Sequence, residues 1–337
     1  AQEAGALIRE AFYEAQSPAF ELKAENDHVT TTDLACEQLI LDGLCAAHPF
    51  PSLPPASPSC WRPTPAVLRV LRVPRLGRRS RFPSHRFVGE ETTGQEPLAP
   101  LTDEPTWMVD PLDGTTNFVH SYPHCAVSIG LCVRREPVVG VVVDPLRQES
   151  FVARRGHGLT LNGRPVRPPS PPIRQQGSVR LTGFATCVQA RCSGEEKLSG
   201  AMLSVEWPSS GADRSAASAA ARQLSLLQTA LSPPRVLSAV RGGGSCVLDL
   251  AWVGCGRLDL TYRGHEGPLC WDVCAGALLV EEGGGALTGP TGGPFNLMSG
   301  THRRAICRIA ARLADGCWRH RAIYRSRHTA AAGRIRR

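Results

Sequence analysis

The chain has no apolar run near the roughly 18 to 20 residues that a membrane-crossing helix needs, so no membrane partner is expected. It has no internal repeat, which argues against a solenoid or array. Its 13 cysteines include no zinc-type C-x-x-C pair, and the closest spacings are Cys187/Cys192 and Cys270/Cys274. An odd, dispersed set of this kind reads as reduced, mostly buried thiols rather than a disulfide framework. Ala1 to Glu14 has neither a basic start nor an apolar signal core, so no secretory signal is read there and a cytoplasmic location is expected. Acidic residues are missing from two segments in particular. Residues 51–83 hold seven Arg and no acid, and residues 301–337 hold eleven Arg and one Asp. The formal charge of +8 points at first to nucleic acid, but outside those segments 20 basic residues face 29 acidic ones. The core is therefore acidic. It suits a cation site, and no nucleic-acid partner is expected.

The 337 residues, 42% of them hydrophobic, can bury a sizeable core. Helices are read over residues 4–15 and 33–48, the second stopped by Pro49, and strands over 85–88, 106–109, 126–133 and 138–143. A turn-rich hairpin or loop follows over 156–165. Further on, 213–231 reads as a helix, 236–240 as a strand, 246–255 as a helix ended by Gly256, 257–262 as a strand and 271–282 as a helix ended by Gly283. Helices and strands alternate, so the fold class is mixed α and β. Residues 51–83 and 171–199 are irregular, and the pattern fades beyond about Arg303.

The densest chemistry lies in Trp107-Met-Val-Asp-Pro-Leu-Asp-Gly-Thr-Thr-Asn-Phe. A strand runs into Asp110-Pro111-Leu112-Asp113-Gly114-Thr115-Thr116. Pro111 fixes the backbone between two carboxylates and Gly114 permits a tight exit. Asp110 and Asp113 are then held close, and Leu112 can offer its carbonyl. Two like charges so placed favour a cation, and hard oxygen ligands favour Mg2+ over zinc. Gly114, Thr115 and Thr116 offer N–H groups and hydroxyls to a phosphate beside it. The plain alternative is a turn that hydrogen-bonds itself. Three other segments carry acids: Gly89-Glu90-Glu91-Thr92 at a strand end, Cys270-Trp271-Asp272 opening a helix, and Thr30-Thr31-Thr32-Asp33 opening another. Taken singly, Glu90 and Glu91 read as exposed acids, and Asp33 and Asp272 as helix N-caps.

Together and in this order, the four segments resemble the inositol monophosphatase family. The resemblance covers roughly residues 4–49, 84–170 and 200–300, and adds Val29-Thr30, Asn117-Phe118-Val119-His120 and Gly292-Gly293-Pro294-Phe295-Asn296-Leu297-Met298-Ser299. Gly89-Glu-Glu-Thr-Thr and Cys255-Gly-Arg-Leu-Asp-Leu look most like plant members, which act on inositol monophosphates and in some cases on L-galactose 1-phosphate. The resemblance implies a layered αβαβα sandwich, magnesium-dependent and lithium-sensitive hydrolysis of a small phosphorylated polyol or sugar, and a homodimer. By motif match it makes Glu90, Asp110, Asp113, Asp272 and the Leu112 carbonyl metal ligands. Thr115 and Asp33 match a pair that orients the attacking water, and are expected within hydrogen-bond reach of each other. Gly114 and Thr115 match phosphate contacts, and Gly244, Ser245 and Cys246 match the segment lining the inositol pocket. Lys23 matches a lysine near the site, or is a surface lysine. His120 and His265 are expected to be structural or exposed.

The chain departs from the family pattern at 51–83 and 171–199, where short connections are enlarged, and after about Arg303. One domain over 1–303, interrupted by those two inserts, is expected, followed by an Arg-rich tail over 304–337 that does not join the fold. The family has a sugar-contacting Glu soon after the Tyr that matches Tyr262; here Arg263 follows, and Glu266 is the nearest substitute. Two alternatives stay open. One is a sister phosphatase acting on histidinol phosphate, a nucleotide bisphosphate or fructose bisphosphate. The other is a non-catalytic remnant or basic binding protein.

Overall fold

The computed structural model describes residues 1–14, 20–24, 27–45, 82, 84–93, 100–166, 198–206, 214–233, 236–263, 268–288, 295, 297 and 310–313. Both irregular segments, apart from Phe82 and residues 198–199, fall outside these, as do Cys187, Cys192, His265, Glu266 and the 292–299 motif except Phe295 and Leu297.

Seven strands form the larger sheet in the order β3-β4-β5-β6-β7-β8-β9: β3 (Arg86–Gly89), β4 (Thr106–Asp113), β5 (Ala126–Val133), β6 (Glu136–Asp144), β7 (Glu149–Arg154), β8 (Leu159–Leu161) and β9 (Arg164–Pro165). Only β3 and β4 pair in parallel; the remaining neighbours are antiparallel. Alternation along the strands explains how both faces are covered. Trp107, Val109, Val127 and Ile129 face one way, onto Leu7 and Ile8 of α1 (Gln2–Glu14) and Ala35 and Ile40 of α2 (Thr31–Cys45). Met108, Cys132, Val142 and Phe151 face the other way, onto α6 (Cys246–Gly254) and α7 (Cys270–Glu282). Helix α7 is apolar nearly all round because it is enclosed on all sides. It seats tightly where β5 and β6 carry no side chain: a Cβ on Gly130 would meet Cys274 Sγ at 2.4 Å, and one on Gly140 the Ala275 carbonyl at 2.7 Å.

A second sheet, in the order β11-β10-β12-β14-β13, comprises β10 (Met202–Val205), β11 (Ala239–Arg241), β12 (Leu260–Tyr262), β13 (Gly285–Thr288) and β14 (Ala310–Leu313). Met202 and Leu287 pack toward α6 and α7, while Leu203 and Val205 pack on Leu227 and Ala230 of α5 (Arg214–Leu231). The layers are thus α1/α2, large sheet, α6/α7, small sheet, α5, which is the expected αβαβα sandwich. Two short helices, α3 (Glu90–Thr93) and α4 (Thr115–Val119), leave the ends of β3 and β4, and β1 (Phe20–Ala24) pairs with β2 (Asp27–Thr30) in a hairpin ahead of α2.

Several expectations shift. β14 lies inside the segment read as a tail, so the chain beyond 303 does join the fold over four residues. Its sequence, Ala-Ala-Arg-Leu, has no strand alternation; partners on both sides supply its ladder instead. The strand expected at 236–240 begins at Ala239, and that expected at 257–262 begins at Leu260. Cys36, Cys125, Cys132, Cys246, Cys255, Cys270 and Cys274 are free and buried. Among the described residues no helix is long and apolar enough to cross a membrane.

Candidate active site

Strand β4 ends in a bulge between Asp110 and Asp113, where its register with β5 shifts. Pro111 has no N–H for the ladder, and Asp110 Oδ1 accepts the Leu112 N–H at 2.9 Å, which closes a local turn. Both carboxylates consequently face one point beyond the strand end. Gly114 follows with φ +91°, a left-handed conformation that favours glycine, and a Cβ there would meet the His124 carbonyl at 2.9 Å. Asp272 joins from the first turn of α7, where its Oδ2 accepts the Leu269 N–H at 2.7 Å. It therefore holds the N-terminal turn of its helix from inside that turn, not from the N-cap position.

One carboxylate oxygen each of Asp110, Asp113 and Asp272 lies within 4.8 Å of the others. Burial, then the charges of Glu90, Asp113 and Asp272, push the Asp110 carboxyl well above its usual range. Burial pushes Asp113 up to about 6, against the Ser245 hydroxyl, Arg263 and the Val247 N–H, which hold it down. Burial, then Asp113 and Glu90, push Asp272 up to about 8. Crowded carboxylates whose charged forms are this unfavourable, with oxygen as the only donor type, fit a hard divalent cation. Glu90, the first residue of α3, acts on all three through its charge.

Asp33 lies fully buried in the first turn of α2. Its Oδ2 accepts the Thr30 N–H at 2.8 Å and the Thr30 hydroxyl, while the Asp33 N–H points back to Thr30 Oγ1 at 3.4 Å. Thr30 is thus the cap and Asp33 its reciprocal partner. That leaves Oδ1 for Thr115, whose Oγ1 lies 3.1 Å from it and 3.0 Å from the Leu112 carbonyl. The Thr115 hydroxyl therefore sits between Asp33 and the Leu112 carbonyl.

The segment Gly244-Ser245-Cys246 lies beside the carboxylates. Ser245 Oγ is fully buried, donates to Asp113 Oδ2 at 2.5 Å and accepts the Leu248 N–H at 3.2 Å as the N-cap of α6. Val247 N–H reaches the same Asp113 oxygen at 2.7 Å. The side chains of Ser245 and Cys246 are enclosed. Gly244 N–H donates to Glu206 Oε2 at 3.1 Å. Asn117 Nδ2 ties α4 to this segment by donating to the carbonyls of Gly243 at 2.8 Å and His124 at 2.7 Å. His120 is exposed, and Lys23 falls on β1.

Sequence reasoning missed a second cluster behind Gly244. Arg263 Nη2 donates to Asp249 Oδ2 at 3.0 Å, and its Nη1 lies 3.1 Å from Glu206 Oε2. Ser204 Oγ donates to the same Asp249 oxygen at 2.7 Å, and His124 Nε2 stands 3.9 Å from Asp249 Oδ1. Asp249 shares a helix face with Ser245 four residues earlier, which was a usable signal; Glu206 gave none.

The sequence profile of the inositol monophosphatase family matches residues 76–323. Inositol monophosphatase 1 of Solanum lycopersicum is 36% identical over 300 residues, covering 89% of this chain and 85% of that protein. Inositol monophosphatase 1 of Bos taurus is 33% identical over 237 residues, covering 70% and 73%. Among solved structures, the extragenic suppressor protein suhB of Bartonella henselae is similar with a TM-score of 0.61 at 25% identity, covering 93% of this chain and 91% of that one. The inositol monophosphatase of Anabaena gives 0.51 at 32% identity, covering 73% and 78%. Fold and relatives together define a phosphoric monoester hydrolase of the αβαβα type. The chain belongs to the inositol monophosphatase family, whose members are generally metal-dependent.

Proposed function

We propose that this protein hydrolyses an inositol monophosphate to inositol and phosphate with Mg2+ as cofactor. The observation that carries the reading is the buried Asp110, Asp113 and Asp272 cluster, destabilised by its own charge, beside the Thr115–Asp33 pair. In this reading Glu90, Asp110, Asp113, Asp272 and the Leu112 carbonyl hold the cations. Bound there, Mg2+ lowers the pKa of water and neutralises charge on the phosphoryl group. The chain's own groups do the rest. Thr115 Oγ1 orients the attacking water and relays its proton to Asp33, whose second oxygen is fixed by Thr30. The N–H groups of Gly114 and Thr115 contact phosphate, and the main chain at Gly244, Ser245 and Cys246 lines the polyol side. Water adds to phosphorus, the ester P–O bond breaks, and the alcohol leaves with a proton. No covalent enzyme intermediate is required. The activity belongs to a single domain over 1–303 together with β14, in the cytoplasm and as a homodimer.

A second reading, a sister phosphatase with another leaving group, is favoured by Arg263. The residue after Tyr262 is a cation locked onto Asp249 and Glu206, so Glu206 is the carboxylate that the structure holds beside Gly244. Glu266, the substitute read from sequence, lies outside the described residues. Phosphate release from inositol 1-phosphate, measured with and without Mg2+ and Li+, tests the main reading. Mg2+-dependent, Li+-inhibited turnover is expected. Turnover of histidinol phosphate or a sugar bisphosphate in its place would select the second.

A further inference from the structure

Helix α2 carries a second buried acid that the catalytic reading does not use. Glu37 lies one turn after Asp33 on the same face and is 1% exposed. Its Oε1 accepts the Thr92 hydroxyl at 3.3 Å, across 55 residues of sequence. Its Oε2 has no hydrogen-bond partner. The carboxylate also presses on the main chain just before Glu90: a Cβ on Gly89 would lie 1.8 Å from Oε1 and 2.9 Å from Cδ. Burial pushes Glu37 up to about 7, while the N–H and hydroxyl of Thr92 and the N–H of Glu91 hold it down and the Glu90 charge adds to the rise.

A buried carboxyl with one oxygen unmatched is a poor choice for stability alone, since an apolar side chain of similar size avoids the cost. Its hydrogen bond to Thr92 and its close approach to Gly89 both fall on one turn, Gly89 to Thr92, and that turn carries Glu90. We infer that Glu37 is a positioning residue for the cation site, bracing the Gly89–Thr92 turn from α2 so that the Glu90 carboxylate is held toward Asp110 and Asp272. Helix α2 then serves both halves of the site, through Asp33 to Thr115 and through Glu37 to Glu90. The groups that hold a ligand in place commonly set cation affinity by about 10- to 100-fold.

This rests on Glu90 as a cation ligand, so the test carries a control for that reading. Mn2+ binding to the metal-free protein is followed by the electron paramagnetic resonance of free Mn2+, with thermal melting alongside. Glu37→Leu is expected to melt no lower than the parent without metal, yet to bind Mn2+ about tenfold or more weakly. Glu37→Gln, whose amide oxygen still accepts the Thr92 hydroxyl, should recover most of the affinity. Thr92→Val, at an exposed position, should lose part of it and keeps the test open if the Leu variant does not fold. Parent-like Mn2+ affinity in Glu37→Leu or in Thr92→Val, with affinity lost in Glu90→Gln, overturns the inference alone. Parent-like affinity in Glu90→Gln overturns the ligand assignment and the inference with it.

Discussion

Two groups of charges flank the start of α6 and are built in opposite ways. In front, Asp110, Asp113 and Asp272 crowd together with Glu90 nearby, and each of the three aspartates is pushed toward its neutral form. Behind, Arg263 bridges Asp249 and Glu206, and Ser204 and the Gly244 N–H complete their partners. The first group is left short of positive charge, which favours the neutral form of its carboxyls. The second pairs its carboxylates with a guanidinium and ties the Gly244 N–H to Glu206. Ser245 joins them, with its hydroxyl on Asp113 and its helix carrying Asp249. Crowded like charges suit a bound cation, whereas carboxylates bridged by a guanidinium suit a structural support.

The comparison is broken most directly by removing charge from the front group. Asp110→Asn and Asp272→Asn should each lower Mg2+-dependent phosphate release by at least about a hundredfold, since a cation contributes several kcal/mol of charge stabilisation. Both variants should melt at or above the parent in chelator, because a repelling charge is gone. Near-normal turnover in either would remove the assignment. Next in size is the proton path. Thr115→Ala, Asp33→Asn and the double variant should lower kcat by similar factors of about 10^2 to 10^4, with Mn2+ affinity changed far less. Additive losses in the double variant would show two independent roles.

Breaking the rear group should act on stability instead. Arg263→Met leaves Asp249, 1% exposed, without its guanidinium, and such a loss typically costs about 3–5 kcal/mol. Urea unfolding should show it while the variant still binds Mn2+; a parent-like midpoint would mean that the bridge contributes little. A further effect is expected on pH. The folded-state values of about 6 for Asp113 and about 8 for Asp272 lie above the ordinary 3.8. The folded metal-free protein therefore binds more protons than the unfolded chain between those values, and its stability should fall as pH rises from about 4 to about 8. Mg2+ should remove most of that fall, and Asp272→Asn should flatten it. A metal-free stability that rises across the same window would contradict the deficit.

Much of the front group was legible because it is local. Asp110, Leu112, Asp113, Gly114 and Thr115 sit in one strand exit, where Pro and Gly dictate the backbone. The Val-rich runs that became β5 and β6, and the apolar run of α7, announce their elements for the same reason: periodicity is a property of neighbours in sequence. Glu206 and Arg263 directly follow β10 and β12, Asp249 lies in α6, and nothing in their own segments announces that they meet. The same holds for Glu37, whose contacts lie 55 residues away.

By itself the sequence determined the mixed α and β class, the carboxylate motif at the end of β4 and the acidic character of the core. These depend on residue type and short spacing, which set backbone dihedrals and local charge. The tertiary structure decided which oxygens converge, that Ser245 is spent as a cap on Asp113, that Arg263 is neutralised by two acids, and that Ala310–Leu313 closes into the second sheet. Each is a long-range pairing chosen by burial: a polar group removed from water must find its partner wherever the folded layers bring one, and no local pattern encodes that distance.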